Sequence, residues 1–306
     1  MLKQYLHKAF LATVVSMLAC VESFGQREVL YEQYVQNPMA INPAFTGVRE
    51  TFNMTAMFRR KWFNIQNSPT SQTYAADGSF GQGKFGAGFQ ALNDQTSYYT
   101  TTALIGSFAY HMRVADNWKL ALGAQGGINV LPVFDLSSRT NNRAIGTVGV
   151  GAWLHSDQFY LGISKPEVLS HRFGDQRLTN FYRRPLYVMV GGSYDLGDEL
   201  LLLPHALIVQ EKDHKLRVDV GTRLWVQEKV GIGASYRMGG GISGLSGSNV
   251  NFVQLSAEVQ LGKNVRLGYF YSSRQVEQMY TNYNGPKGIH ELMLKFTPNP
   301  NGFQKY

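Results

Sequence analysis

Polar and apolar residues alternate with a period of two along most of this chain after Thr51. In the run 216–226, apolar residues alternate with Arg217, Asp219 and Arg223, and the runs 253–261 and 291–296 show the same pattern. This period places apolar side chains on one face of a β-strand and polar side chains on the other. The chain is therefore predicted to be all-β, although a soluble β-sandwich shows the same local alternation as a membrane barrel.

The breaks between the strand-like runs fall into two length classes that alternate along the chain. Tight turns occur at 81–83, 115–117, 156–157, 197–198, 227–229 and 262–264. Mostly longer breaks occur at 64–69, 132–142, 165–184, 237–249 and 273–288, with short exceptions near Asp94 and Asp213. Short periplasmic turns and longer external loops are typical of an outer-membrane barrel, and a closed sheet pairs every backbone group within lipid. We therefore predict one transmembrane antiparallel up-and-down β-barrel of about 14 strands, preceded by an irregular N-terminal segment.

The N-terminus has the organisation of a secretory signal. A positively charged start precedes an apolar core, Ala9 to Val21, which is too short to span a bilayer as a stop-transfer helix. Small residues at Ser23 and Gly25 predict signal-peptidase cleavage before Gln26, and a lipoprotein-type cut at Cys20 is the less favoured alternative. Cleavage before Gln26 removes the single cysteine, so burial and backbone pairing alone would hold the mature chain together.

Four regions follow from these patterns, and no linker-like stretch divides the long third one. They are a signal peptide (1–25), an N-terminal periplasmic or plug segment (26–50), an outer-membrane β-barrel (51–297) and a C-terminal tail (298–306).

The N-terminal segment contains two Asn-Pro pairs, Asn37-Pro38 and Asn42-Pro43. Proline pushes the residue before it out of the helical region and donates no backbone hydrogen bond, so neither a helix nor a central strand is favoured here. Apolar neighbours such as Phe45 predict a segment that packs against the strands that follow. A tethering linker with a few apolar residues is an equally good interpretation.

The polar strand faces would line a lumen. These residues include Lys215, Arg217, Arg223, Glu258 and Glu291. They would set the selectivity of an open pore, or they would form a packed polar plug with the N-terminal segment, and their mixed charges favour pairing. Several aromatic residues near strand ends are candidates for the girdles at the membrane–water interfaces, and ordinary core packing is the alternative. These residues are Trp62, Phe63, Trp118, Trp153, Tyr187, Trp225 and Tyr271.

Catalytic, metal and nucleic-acid functions find little support in the sequence. Only 16% of the residues are charged, below the ~25% of soluble domains, and the net charge of +8 comes from scattered residues rather than a basic block. His290-Glu291 lacks the second histidine of a zinc helix, since position 294 is leucine, and no Gly-x-Ser-x-Gly elbow marks a nucleophile. We therefore expect no enzyme activity, cofactor, metal or nucleic-acid partner; an outer-membrane hydrolase is the least favoured class.

Two of the longer loops carry the residue types that anchor protein interfaces. The first, 165–184, combines Arg172 and Arg177 with Phe181 and Tyr182, and the second, 273–288, contains Tyr280. These loops are predicted to bind a partner protein, or alternatively to contact anionic lipid headgroups.

Several segments, taken in order, resemble the PorP/SprF-like outer-membrane proteins of the type IX secretion and gliding machinery. They are the Asn-Pro segment, Phe58-Arg59-Arg60-Lys61-Trp62, Asn67-Ser68-Pro69-Thr70, Tyr160-Leu161-Gly162-Ile163-Ser164, Leu203-Pro204-His205-Ala206-Leu207 and the terminal Gly288-Ile289-His290-Glu291-Leu292. The chain departs from the family pattern in one respect: the tail from Thr297 to Tyr306 follows the last strand. Barrel-assembly signals usually lie at the extreme C-terminus, so the tail leaves the position of this signal open.

The resemblance implies a non-enzymatic outer-membrane component of type IX secretion or gliding. Its partner would be an exported surface protein with an adhesin-like C-terminal domain, or the periplasmic motor lipoproteins of the secretion system. The predicted partner-binding residues are Asn37, Pro38, Asn42, Pro43, Phe45, Arg172, Arg177, Phe181, Tyr182 and Tyr280. The alternative function is a passive porin or hydrophobic-solute channel, which would conduct ions and have no stable protein partner.

Overall fold

The computed structural model describes residues 34–61, 68–96, 99–134, 140–169, 184–211, 214–240, 251–273, 288–300, 302–303 and 305. Fifteen strands within them form one antiparallel sheet. The strands are β1 (Asn53–Lys61), β2 (Thr70–Phe80), β3 (Phe85–Thr96), β4 (Tyr99–Ala115), β5 (Trp118–Phe134), β6 (Thr140–His155), β7 (Phe159–Lys165), β8 (Leu186–Gly192), β9 (Tyr194–Asp195), β10 (Leu200–Gln210), β11 (Arg217–Val226), β12 (Val230–Gly239), β13 (Phe252–Leu261), β14 (Val265–Ser272) and β15 (Ile289–Phe296).

The sheet closes on itself. β1 pairs with β15 as well as with β2, and β10 pairs with β11, so the order of neighbours is continuous around a barrel. The short strand β9 continues β8 along the same side of β10, which leaves 14 positions around the barrel. The predicted antiparallel barrel of about 14 strands is confirmed.

A proline in β10 coincides with the break between β8 and β9. Pairing with β8 stops at His205, opposite Gly191, and pairing with β9 starts at Leu202, opposite Tyr194. Pro204 lies between these two positions and remains in register with Thr222 of β11. A residue without a backbone N–H is tolerated inside a sheet where the neighbouring ladder is interrupted.

The alternation of side chains follows the predicted faces. In β15, Leu292 and Leu294 are 57% and 48% exposed on the outside, whereas Glu291 and Lys295 are 7% and 2% exposed and point inward. The outer face is therefore apolar along the strands, which is the arrangement that lipid requires.

Aromatic side chains add to this outer face at the end with the tight turns. The rings of Phe80 and Phe85 stack with centroids 5.6 Å apart, and Phe85 also lies 5.5 Å from Tyr110. Further around the same end, Trp118 packs edge-on against Phe159 at 5.9 Å. A ring of amphipathic and aromatic groups at this height is typical of a membrane–water interface.

The girdle prediction is wrong for three of its residues. Trp153, Tyr187 and Trp225 are 1%, 9% and 0% exposed and point into the barrel, so core packing is their role. Trp118 and Tyr271 are partly exposed on the outside. The remaining two candidates, Trp62 and Phe63, lie outside the described residues.

The barrel sequence starts and finishes on the side of the barrel that carries the tight turns. β1 starts there at Asn53 and β15 finishes there at Phe296, beside the turns at 81–84, 227–229 and 262–264. Short turns and chain termini mark the periplasmic end of an outer-membrane barrel. No helix in the described ranges is long and apolar enough to cross a membrane.

Candidate functional site in the barrel lumen

Residues 34–49 lie inside the barrel and are buried throughout. Two short 3-10 helices form there, Pro38–Ala40 and Pro43–Phe45, and each begins directly after the asparagine of an Asn-Pro pair. The proline keeps the asparagine before it extended and supplies a fixed φ at the first helical position. The Asn-Pro pairs thus start two short 3-10 helices, and the segment that contains them fills the lumen.

Asn42 attaches the second 3-10 helix to the barrel wall. Its Oδ1 accepts a hydrogen bond from the Ala44 amide at 3.0 Å, which caps the helix. Its Nδ2 donates to the carbonyl oxygens of Ala152 in β6, at 3.0 Å, and of Ile163 in β7, at 3.4 Å. One side chain therefore joins the segment to two strands. Asn37 makes no capping hydrogen bond of this kind, although it is 4% exposed.

Glycines in the wall let the segment backbone approach closely. A Cβ at Gly86 of β3 would lie 2.0 Å from the Thr46 carbonyl oxygen, and a Cβ at Gly123 of β5 would lie 2.3 Å from the Ala44 nitrogen. Both obstacles are backbone atoms, which do not move aside as a flexible side chain does. The inner wall is shaped for this segment, because any larger residue at these positions would displace it.

Phe45 is the apolar anchor of the segment. Its ring meets Trp153 edge-on with centroids 5.0 Å apart, and Trp153 stacks on Tyr160 at 4.9 Å. The Arg49 guanidinium lies 4.8 Å from the centre of the Phe45 ring on the segment's own side. Phe45 is 0% exposed, so the contact is complete.

Polar side chains of the wall satisfy the backbone of the segment. Asp77 accepts hydrogen bonds from the Gly47 amide at 2.9 Å and from Arg49 at 3.3 Å. His111 Nε2 lies 2.9 Å from the carbonyl oxygen of Thr46, and Ser164 Oγ donates to that of Ile41 at 2.7 Å. Buried backbone groups need such partners, and here the barrel supplies them.

Charged residues on the opposite wall form two buried groups. Arg237 makes a bidentate pair with Asp219, with N–O distances of 2.6 to 2.9 Å. Glu258 lies 3.4 Å from Arg223 and also accepts a hydrogen bond at 2.6 Å from Gln36 of the segment. Among the predicted lumen charges, Arg223 and Glu258 therefore pair with each other, and Glu258 also bonds the segment, as the packed-plug interpretation requires.

Tyr34 lies between these groups at the start of the described segment. Its ring meets His205 edge-on at 6.1 Å, and burial, reinforced by the charge of Asp219, raises the pKa of its phenol well above the usual value. Tyr34 therefore stays neutral inside the lumen.

Breaking the Asp219–Arg237 pair should destabilise the barrel strongly. Arg237→Met leaves the Asp219 carboxylate, which is 0% exposed, without its bidentate partner, and we expect a loss of about 3–5 kcal/mol in the free energy of unfolding. Urea unfolding of the purified protein in detergent, followed by tryptophan fluorescence, measures this loss. The double variant Asp219→Leu/Arg237→Met removes both charges and should recover most of it; equal losses in both variants would contradict this assignment.

The C-terminal tail folds back across the periplasmic end of the lumen. Thr297 Oγ1 donates to Asn53 Oδ1 at 2.8 Å, and the Phe303 ring packs edge-on against Trp225 at 4.9 Å. Further on, the carbonyl oxygen of Lys305 accepts a hydrogen bond from Arg223 at 2.9 Å, and its Nζ donates to Ser193 Oγ at 2.8 Å. The tail therefore spans the mouth from β15 to the break between β8 and β9.

Comparison with known protein families decides the identity of this plugged barrel. The family described as "Type IX secretion system membrane protein PorP/SprF" matches residues 23–296. The chain belongs to the PorP/SprF family. The family match includes both Asn-Pro pairs and every strand of the barrel.

One solved structure supports the barrel fold, and two further ones are less similar. Outer membrane protein Omp33 of Acinetobacter baumannii aligns with a TM-score of 0.51 at 12% identity, covering 82% of this PorP/SprF chain and 100% of that protein. A bacterial polysaccharide outer membrane secretin (TM-score 0.47, 10% identity, 82% and 99% covered) and OmpF of Salmonella typhi (0.40, 11%, 82% and 98%) are less similar. None of the curated proteins matches the chain in sequence.

The predicted partner-binding residues of this PorP/SprF chain separate into two groups. The structure brings Asn37, Pro38, Asn42, Pro43 and Phe45 together inside the lumen. The loop residues Arg172, Arg177, Phe181, Tyr182 and Tyr280 lie outside the described residues. Sequence reasoning did not find the glycine wall or the tail contacts. Glycine at alternate strand positions, as at 86 and 88, is the signal that marks such a wall.

Proposed function

We propose that this PorP/SprF protein acts by binding a protein partner of type IX secretion and does not conduct solutes. The observation that supports this proposal is the filled lumen: an N-terminal segment that is hydrogen-bonded and packed along its length occupies the space that a pore would need. A barrel closed in this way offers its rims and loops, rather than a channel, for function.

The partner is proposed to be an exported surface protein with an adhesin-like C-terminal domain, or a motor lipoprotein on the periplasmic side. The family assignment supports a role in the secretion machinery. The loops 165–184 and 273–288 are the proposed external contacts. The first 25 residues are proposed to be the signal peptide that directs the chain to the periplasm.

The proposed role is non-enzymatic. Within the described ranges, no cluster of three or more histidine, cysteine, aspartate or glutamate side chains is arranged to hold a metal ion. The buried polar groups of the lumen instead contact each other and the segment.

Export from a deletion strain tests this function. We expect that loss of the gene depletes one or more surface proteins from the exported fraction and that the wild-type chain restores them. The amounts of other outer-membrane proteins should stay constant. An unchanged exported proteome, together with steady ion conductance of the purified protein in planar bilayers, would favour the porin alternative.

A further inference from the structure

A cavity lies at the periplasmic mouth of the barrel, apart from the segment that fills the lumen. It has a volume of about 480 Å³ and lies between the turn at 227–229, the turn at 262–264 and the C-terminal tail. This volume is within the range of sites that bind small ligands or short peptide segments, roughly 300–1,000 Å³.

Positive charge dominates the lining of this cavity. Four basic side chains border it, namely Lys229, Lys263, Arg266 and Lys295, against one carboxylate, Glu228. Arg266 and Lys295 are each 2% exposed and project inward from β14 and β15, whereas Lys229 and Lys263 are exposed on the turns. Glu258 also points into the lumen and lies 3.9 Å from Arg266 and 3.4 Å from Arg223. One carboxylate thus serves two guanidinium groups, and an excess of positive charge remains.

The rest of the lining suits a peptide, because it combines an aromatic ring with hydrogen-bonding side chains. The Phe303 ring forms one side, held 4.7 Å from the Arg266 guanidinium. The side-chain amides of Gln227 and Asn264 also border the cavity and present their oxygens as hydrogen-bond acceptors. Arg266 and Lys295 project from the inner face of the barrel, on the side away from the lipid. The tail that forms this wall carries Lys305 and no aspartate or glutamate.

We propose that this cavity binds an acidic peptide segment, whose carboxylates meet Lys229 and Lys263 on the turns and the Arg266 guanidinium. The proposal deepens the proposed function, since the peptide would belong to a periplasmic partner. Binding to the isolated protein is measured without that partner, so it succeeds or fails independently of the export experiment.

Fluorescence anisotropy of a fluorescein-labelled tetraglutamate peptide tests the proposal on the purified full-length protein in detergent. We expect saturable binding that weakens with salt, and no binding of labelled tetraglutamine. Lys229→Gln/Lys263→Gln should weaken binding on the order of tenfold, which is the effect of removing two exposed charge contacts.

The matched control removes two exposed charges at the same end of the barrel, away from the cavity. Lys84→Gln/Arg113→Gln should leave the affinity unchanged. Equal weakening by both double variants would overturn the site, because binding would then follow net charge alone. Displacement of the peptide by inorganic phosphate as readily as by unlabelled tetraglutamate would overturn the assignment to a peptide.

Discussion

Gly123→Val should turn this closed barrel into an ion-conducting one. The new side chain would begin 2.3–2.4 Å from the backbone of Pro43 and Ala44, in a strand that is paired on both sides with β4 and β6. Because the wall is held by two continuous backbone ladders and the segment by individual side-chain hydrogen bonds and packing, the segment is the part that moves. Overpacking of this size typically costs 1–3 kcal/mol or more. Single-channel recording in planar bilayers should show steady conductance for the variant and none for the wild type.

Gly146→Val is the matched control for this experiment. It adds the same side chain to the neighbouring strand β6, at a position where a new Cβ meets nothing within 4 Å. It should therefore remain silent in the bilayer. Equal conductance from both variants would show that general loosening of the barrel, not displacement of the segment, opens the path.

Asn42→Ala/Pro43→Ala should impair export while the barrel still assembles. The change removes the cap on Ala44 and the two hydrogen bonds to Ala152 and Ile163, each worth roughly 1 kcal/mol. A loss of about 3 kcal/mol corresponds to roughly a hundredfold shift from the seated to the unseated segment. Quantitative mass spectrometry of the exported fraction, with immunoblotting of the outer membrane, measures both parts of this prediction.

Asn37→Ala/Pro38→Ala is the comparison variant and should be milder. Asn37 makes no capping hydrogen bond, so less binding energy to the wall is lost. An exported proteome that is unchanged in the Asn42→Ala/Pro43→Ala variant, or equally reduced in both, would contradict the role given to Asn42.

The barrel itself follows from local sequence patterns. The alternation in β11, β13 and β15 predicts which side chains face lipid, because one face of each strand must be apolar and the other polar. The tight turns and longer loops predict a barrel with short periplasmic connections at one end. These features depend on neighbours in sequence, so a single chain reveals them.

The interior does not follow in the same way. Trp153 and Trp225 near strand ends suited an interfacial girdle, yet they pack inward against Phe45 and Phe303, which come from the two ends of the chain. The hydrogen bond from Asn42 to Ala152 joins residues 110 positions apart. Periodicity carries no information about such long-range partners. The Asn-Pro pairs predict an irregular packed segment, but its position inside the lumen depends on the glycines of the wall.

Purification of the tagged protein from native outer membranes in mild detergent tests the central claim most directly. If the plugged barrel works by binding, a stable partner should co-purify and be identified by mass spectrometry: a large surface protein for the adhesin branch, or motor lipoproteins for the secretion-complex branch. The Asn42→Ala/Pro43→Ala variant should recover less of it. A wild-type barrel that purifies without any partner and conducts ions in bilayers would contradict the claim.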